Sequence, residues 1–471
     1  MKIALVRPTK IQGSLEKSMV QHPINLCWIA AVLREQGHDV RIWDFEVEKY
    51  SSSILRSRVI EFGPRILGIT SMTTNIYAAA RMAGTAKLAD PEILIVVGGP
   101  HASALPERTL VEFPVFDVAV FGEGEETIAQ VAQRIDDSDN LEGVRGSAHR
   151  EGGKIKVEDA RPFMNDLDKL PLPARDMLNH DIYLGASTPG LDATLHNGTE
   201  LFTTRGCSRK CIFCAARVTH GPKVRFRSAD NVIAEIEECI NRYGYNHFTI
   251  EDDTFTLNRK RLERICEGLA RTGVTWDCDT RVDTVDRDML TMMAESGCRK
   301  VAFGVESGSE RMLSIIKKGI TLEQVRDAFR WAHEADMITT AFFMIGAHPS
   351  ETLDEVNMSL KLMKEIKTDL MALAIAVPHP GTELHSIMRE KGYLYSEHWE
   401  KFNHLHSLPS WRTDHFSPEE LTRLQLKLYR KFFFRPVFIW YTLKKAMSWA
   451  GIKYYTRSAY HIARYIIEGR V

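Results

Sequence analysis

Three cysteines, Cys207, Cys211 and Cys214, stand four and then three residues apart in the run TTRGCSRKCIFC. Three thiolates can take three irons of a cubane 4Fe-4S cluster and leave the fourth iron open, whereas clusters that only carry electrons usually take four cysteines. An open iron can chelate a substrate through an amine and a carboxylate. Gly206 would let the backbone come close, and Arg205, Arg209 and Lys210 would offset part of the cluster's negative charge. Zinc is the alternative. It wants four ligands, typically in pairs, so His220 would have to be recruited, and no second Cys/His pair accompanies the motif. The other five cysteines, Cys27, Cys239, Cys266, Cys278 and Cys298, are scattered singly, so no disulfide framework is expected.

The elements that must position this loop read as α/β throughout. In residues 1–140 the strand candidates are Ile3–Val6, Val40–Trp43, Ile66–Thr70, Ile93–Gly98 and Val118–Phe121. Helical patterns such as Leu26–Gln36, Ile76–Ala89 and Glu125–Ile135 lie between them, which predicts a parallel, doubly wound sheet. Ligands bind beyond the carboxyl ends of such strands. Those ends carry Pro8 and Thr9, Ser71-Met72-Thr73, Gly98-Gly99-Pro100-His101, and Gly122-Glu123-Gly124-Glu125. Residues 141–200, rich in Gly, Asp and Pro, read as a small hairpin and a linker. In residues 201–385 strands are expected at Leu201–Thr204, His247–Glu251, Thr275–Asp279, Lys300–Gly304, Thr339–Ile345 and Met371–Val377. Helices are expected at Ala229–Tyr243, Arg259–Thr272, Arg287–Ser296, Leu322–Glu334 and Leu353–Ile366. Six βα repeats imply a complete or partial parallel barrel with chemistry at its strand C-termini, and the cysteine loop follows the first strand. Residues 386–471 are mostly helical in pattern.

With Phe213 as the aromatic, the motif C-x3-C-x-Φ-C resembles the radical S-adenosylmethionine superfamily. The N-terminal half resembles the cobalamin-binding domain that precedes the barrel in one large branch. That branch holds class B methylases, the anaerobic magnesium-protoporphyrin monomethyl ester cyclase and hopanoid-associated enzymes. The resemblance implies that a reduced cluster cleaves S-adenosylmethionine to a 5′-deoxyadenosyl radical, which takes hydrogen from an unactivated carbon. Cobalamin then donates a methyl group or manages an electron. It also implies S-adenosylmethionine contacts at Phe213, at Glu251-Asp252-Asp253 for the amino group, and at Arg281 for the carboxylate. Glu306-Ser307 would serve the ribose, and Gly346 the adenine. By residue type alone, three acids at a strand end suit an ammonium or a metal, and a carboxylate can accept two hydroxyls. Asp253 could equally be a helix cap, and Glu306 an acid in a helical first turn. The Gly346 turn departs from the family's Gly-x-Pro-Gly-Glu-Thr: Ala347-His348 adds a residue before Pro349, and Ser350 replaces the glycine. Pro378-His379-Pro380-Gly381-Thr382 matches a loop of this branch.

No D-x-H-x-x-G loop is present, so bound cobalamin would have no protein imidazole on its lower face, His101 lying in the different context GGPHAS. The backbone at Gly98-Gly99 is expected to approach the corrin, and Glu123 and Glu125 to meet its amides. A domain that holds no cofactor, or a flavin site, are the alternatives. The first strand is followed by neither GxGxxG nor a phosphate loop, which argues against a dinucleotide.

Formal net charge is −1, yet residues 421–471 hold eleven Lys and Arg against the single acid Glu468. Twelve aromatic residues interleave with them. Three partners suit that tail: anionic lipid at a membrane surface, the barrel itself with its cations snorkelling, and single-stranded nucleic acid. The last is disfavoured because Phe432–Phe434 and Phe438-Ile439-Trp440 are continuous apolar runs. The N-terminus enters a strand with no secretory signal, and no apolar run approaches the length of a membrane span, so a reducing cytoplasm is expected. The function expected is C-methylation of a hydrophobic substrate, with a flavodoxin or ferredoxin as electron donor. Cyclisation or rearrangement of a tetrapyrrole or lipid, or a non-catalytic cobalamin or metal sensor, are the alternatives.

Overall fold

Two sheets carry the molecule. The computed structural model describes residues 1–9, 21–137, 140–183, 197–403 and 408–435. The first sheet comprises β1 (Lys2–Arg7), β2 (Asp39–Asp44), β3 (Ile66–Thr70), β4 (Leu94–Gly98), β5 (Val118–Val120), β6 (Ser147–Glu151) and β7 (Lys154–Val157), in the order β2-β1-β3-β4-β5-β6-β7. The first five are parallel and the hairpin β6–β7 adds antiparallel strands at the edge. Order 2-1-3-4-5 is the doubly wound flavodoxin-like arrangement. Strand β1 shows why its sequence is apolar without alternation. Ile3 and Leu5 join the apolar cluster on one face, while Ala4 and Val6 join the one on the other.

The second sheet comprises β8 (Gly198–Leu201), β11 (His247–Ile250), β12 (Thr275–Thr280), β13 (Cys298–Glu306), β14 (Ile338–Ile345) and β15 (Leu370–Ile375), in the order β15-β14-β13-β12-β11-β8. All pairs are parallel, which makes an open six-stranded barrel wall. The helices Ala229–Tyr243, Arg259–Thr272 and Leu322–Glu334 form at the expected residues, each behind a Ser, Asn or Thr that accepts a hydrogen bond from the first turn. The opening strand differs from expectation. It is Gly198–Leu201, and residues beyond it leave the barrel as β9 (Thr204–Arg205), which pairs antiparallel with β10 (Arg225–Phe226).

The helix Pro418–Phe433 closes the barrel edge at β15. Tyr429 Oη and Gln425 Nε2 lie 3.0 and 2.8 Å from Leu373 O, and Tyr429 Oη accepts from Leu373 N at 3.1 Å. Leu421, Leu428 and Phe432 are buried beneath it. The basic aromatic stretch therefore begins by packing on the barrel. Its remainder, residues 436–471, lies outside the described residues. Among the described residues no helix is long and apolar enough to cross a membrane.

The sheets are joined through buried charge. Arg175, in the connecting segment, donates to Glu235 at 2.7 Å and to Glu200 O at 2.7 Å, and Arg227 pairs with the second oxygen of Glu235. Burial opposes ionisation of Glu235, but Arg227 and Arg175 more than offset it and hold its pKa below the ordinary range. Removing one partner from such a pair leaves charge buried without compensation. Glu235→Ala should therefore cost about 3–5 kcal/mol in urea unfolding, whereas an exposed pair such as Arg264–Asp230 should contribute at most about 1 kcal/mol.

Candidate active site between the two sheets

The cysteine loop hangs between β9 and the helix Ala216–His220. Gly206 has φ of +90°, and a Cβ there would sit 2.3 Å from Lys223 O and 2.9 Å from His220 O. The chain doubles back on itself here, and only glycine fits. Cys207 N donates to Gly221 O at 3.2 Å, and Ile212 is tied at both backbone atoms, to Ile316 O at 3.1 Å and from Leu384 N at 2.8 Å. All eight cysteines are free; Cys207, Cys211 and Cys214 are partly exposed, and the other five are buried. Burial raises the thiol of Cys211 and pushes that of Cys214 to about 11, so iron must displace their protons. Among the described residues no three His, Cys, Asp or Glu gather to hold a metal ion. A single ion needs its donors around one point, but a cubane takes three thiolates on three separate irons. Three thiolates on one loop suit such a cluster. His220 faces Asp253 instead, at 3.9 Å.

The strand ends around the loop supply the other candidates. Asp252 is buried and accepts from Thr203 N at 2.6 Å, from Thr204 N at 2.9 Å and from Thr203 Oγ1. Its carboxylate pins the turn from β8 into β9, so it has only backbone left to offer a ligand. Among the described residues, the Glu251 carboxylate accepts from Gln21 Nε2 at 3.2 Å. Burial, then the nearby Asp279, Glu200 and Asp277, push its pKa to about 8, the state from which an approaching ammonium would draw it down. Asp253 is exposed. Arg281 is buried and bridges Asp283 at 2.8 Å to Lys318 O at 2.7 Å, while Arg209 of the cysteine loop reaches the same Asp283 at 2.9 Å.

Glu306 ends β13 at a register shift, with φ of +71°, a conformation that costs a non-glycine residue free energy and is common at functional sites. Its Oε1 accepts from Lys318 Nζ at 2.7 Å, both groups nearly buried. Ser307 is fully buried against Ser359 and Ser309 N, inside the fold. Phe213 packs at the margin of the core. Gly346 has φ of +68°, and its N–H donates to the buried Glu351, whose other oxygen has no hydrogen-bond partner among the described residues.

On the facing sheet, the ends of β1, β3 and β4 present Thr9 and an exposed Met72, with Gly98 half-buried and Pro8 buried. These side chains are uncharged and suit a broad, weakly polar ligand. Gly99 has φ of +94°, and a Cβ there would lie 2.7 Å from Ser71 O. This glycine therefore serves the packing of one loop on the next. His101 is buried, 3.4 Å from Thr73 Oγ1 and edge-on to Trp399, and burial lowers its pKa to about 4. Its imidazole is neutral and enclosed. Gly122 N donates to Ser103 Oγ at 3.1 Å.

Glu123 and Glu125 pair with arginines of the β9–β10 ribbon. Arg225 donates to both oxygens of Glu123 at 2.7 and 2.8 Å, and Arg205 reaches Glu123 at 3.3 Å and Glu125 at 2.6 Å. Arg205 also stacks 4.9 Å above Trp28. Burial works against ionised Glu125, but Arg205 outweighs it and the net shift is downward.

Comparison with known proteins agrees with this architecture. The family model described as B12 binding domain matches residues 18–132, and the Radical SAM superfamily model matches residues 201–363. An uncharacterised methyltransferase of Pyrococcus horikoshii is 33% identical over 441 residues, 93% of either chain. The chain belongs to the B12-binding branch of the radical SAM superfamily. The anaerobic magnesium-protoporphyrin IX monomethyl ester cyclase of Rubrivivax gelatinosus is 26% identical over 94% of this chain and 80% of its own. Among solved structures, the radical S-adenosylmethionine methyltransferase TsrM of Kitasatospora setae, with cobalamin and a 4Fe-4S cluster bound, has the same fold. It matches with a TM-score of 0.68 at 17% identity, over 83% of this chain and 75% of its own.

Within this radical SAM protein, several of the expected residues also have partners inside the fold. Arg205 is paired with Glu123 and Glu125. Glu123 and Glu125 are engaged by Arg225 and Arg205. Gly99 avoids Ser71, so its lack of a side chain is explained without a ligand. Lys318 and Arg225 were not singled out in the sequence. Neither belongs to a motif, and their partners lie 12 and 102 residues away.

Two outcomes follow. Gly206→Ala should lower bound iron after anaerobic reconstitution from about four per chain to well under one, while far-ultraviolet circular dichroism stays unchanged. Glu351 has its pKa pushed to about 8, chiefly by burial. It binds a proton in the folded state that it lacks unfolded, so stability is full below the ordinary glutamate range and falls as pH rises through about 8. Melting temperatures between roughly pH 5 and 9 should drop with pH, and Glu351→Gln should flatten that drop.

Proposed function

We propose that this protein methylates an unactivated carbon of a hydrophobic substrate. One observation carries the reading: the helix Pro100–Ala104 that follows β4 packs on the helix Ala216–His220 that follows the cysteine loop. Gly381 lies between them, where a Cβ would be 3.1 Å from Val218 and 3.6 Å from Ala104. When bound, cobalamin would carry the methyl group, and the cluster would supply the electron that cleaves S-adenosylmethionine. The chain's own residues position these groups. Cys207, Cys211 and Cys214 would hold the cluster, Glu251, Arg281 and Glu306 would orient S-adenosylmethionine, and Thr9, Met72 and Gly98 would form the ledge for the corrin.

The substrate would lie in the barrel. Along β14 and β15 the residues Phe342, Met344, Ala372 and Ala374 remain partly exposed, while the alternate Ala341, Phe343, Leu373 and Ile375 are buried under the helices. This apolar wall supports a hydrophobic substrate. A low-potential one-electron donor of the flavodoxin or ferredoxin type is required, and a reducing cytoplasm suits an oxygen-sensitive cluster. Any contact with anionic membrane would fall to the end of the 421–471 stretch.

Anaerobic reconstitution with iron, sulfide and hydroxocobalamin, then desalting, tests the reading. About four irons with a retained corrin band are expected, and Cys211→Ala should lose both iron and S-adenosylmethionine cleavage. Zinc in place of iron would overturn the reading. Turnover with S-adenosylmethionine labelled at its methyl group should place label in the product. An unlabelled, oxidised product would point to the cyclase-like reaction instead.

A further inference from the structure

We infer that Lys318 is a positioning residue for S-adenosylmethionine, setting the Glu306 carboxylate for the ribose hydroxyls. The inference deepens the preceding reading and rests on it. Lys318 and Glu306 are 6% and 8% exposed, and Nζ donates to Oε1 at 2.7 Å. The local backbone is shaped around this pair. A Cβ on Gly304 would stand 2.6 Å from Lys318 Nζ and 2.8 Å from Glu306 Oε1, so any larger residue would force the pair apart. Glu306 keeps its left-handed φ of +71° at the register shift, and the ammonium opposes any relaxation of that carboxylate. The segment bearing Lys318 is itself fixed to the site from two sides. Arg281 Nη2 donates to Lys318 O at 2.7 Å, and Ile212 N, within the cysteine loop, donates to Ile316 O at 3.1 Å.

The consequence is a division of labour between the carboxylate oxygens. Oε1 is held by the ammonium, and Oε2 has no hydrogen bond from the described residues. A ribose presents two adjacent hydroxyls, and a carboxylate fixed at one oxygen can accept from them without first paying to order its own rotamer. Without Lys318, Glu306 would be a nearly buried carboxylate lacking its counter-charge and free to turn.

The test is equilibrium dialysis of S-adenosylmethionine against anaerobically reconstituted enzyme, with the cluster left oxidised so that no turnover occurs. A 2′,3′-dideoxy analogue is run in parallel. Lys318→Met should weaken S-adenosylmethionine binding roughly tenfold to a hundredfold, the range for a charge-assisted hydrogen bond. It should weaken binding of the dideoxy analogue less than about threefold, because the contact that Lys318 supports is absent there. Lys318→Arg should recover most of the affinity. Equal losses for both ligands, or no loss for either, would overturn the inference. If Lys318→Met retains less iron than the parent, the same comparison is made with Lys318→Gln. Failure of the parent protein to bind S-adenosylmethionine would instead count against the radical SAM reading itself.

Discussion

The arginine–glutamate cluster between Glu123, Glu125, Arg205 and Arg225 decides where the cysteine loop sits relative to the facing sheet. Arg205 immediately precedes Gly206-Cys207, and Arg225 is its neighbour across the β9–β10 ribbon. Both reach back to the turn after β5. Four charges this enclosed carry a large desolvation penalty, which is offset only when every partner is in register. Trp28 seals one side beneath Arg205 and Arg227. The cluster therefore contributes less as net stability than as a definition of geometry. The two sheets are held at one separation and one orientation.

Within the barrel the same theme recurs at shorter range. Asp252 gives its carboxylate to the backbone that leaves β8, Gly206 lets the chain fold back under the loop, and Glu306 adopts a left-handed conformation at the end of β13. Each feature weakens regular structure locally. Each also lies at a strand C-terminus, where the rest of the wall over-determines the backbone and can hold it.

The barrel interior is two-sided. Strands β14 and β15 offer Phe342, Met344, Ala372 and Ala374, whereas the opposite wall offers Glu200, Glu251, Asp277 and Asp279. Some of those acids are satisfied: Glu200 accepts from His22, and Asp277 lies 3.0 Å from His247 Nε2. Glu251 and Asp279 stay in a low-dielectric setting, and burial pushes them to about 8 and about 6. A neutral Glu251 costs less to bury and can donate a hydrogen bond. A substrate lying against the apolar wall would thus meet polar groups on the other side.

The sequence by itself determined the periodic elements and the cysteine motif. Helices such as Ala229–Tyr243 and Arg259–Thr272 were legible to the residue because a cap, an apolar stripe and a terminal glycine coincide. The six barrel strands were legible as alternating units, and the cysteine spacing carries its chemistry in three intervening positions and two. Strand β8 was placed three residues late, since the apolar Leu201-Phe202 continues past the end of pairing and only Asp252 shows where the chain turns. What the tertiary structure alone decided is which charged side chains are free. Glu123, Glu125, Asp252 and Arg205 have residue types suited to ligands, yet their partners come from distant segments. Lys318 had no signal until Gly304 made room for it beside Glu306. Periodicity follows from local backbone geometry, so it survives in one dimension. The commitment of a charge depends on which opposite charge folding brings near, and that exists only in three.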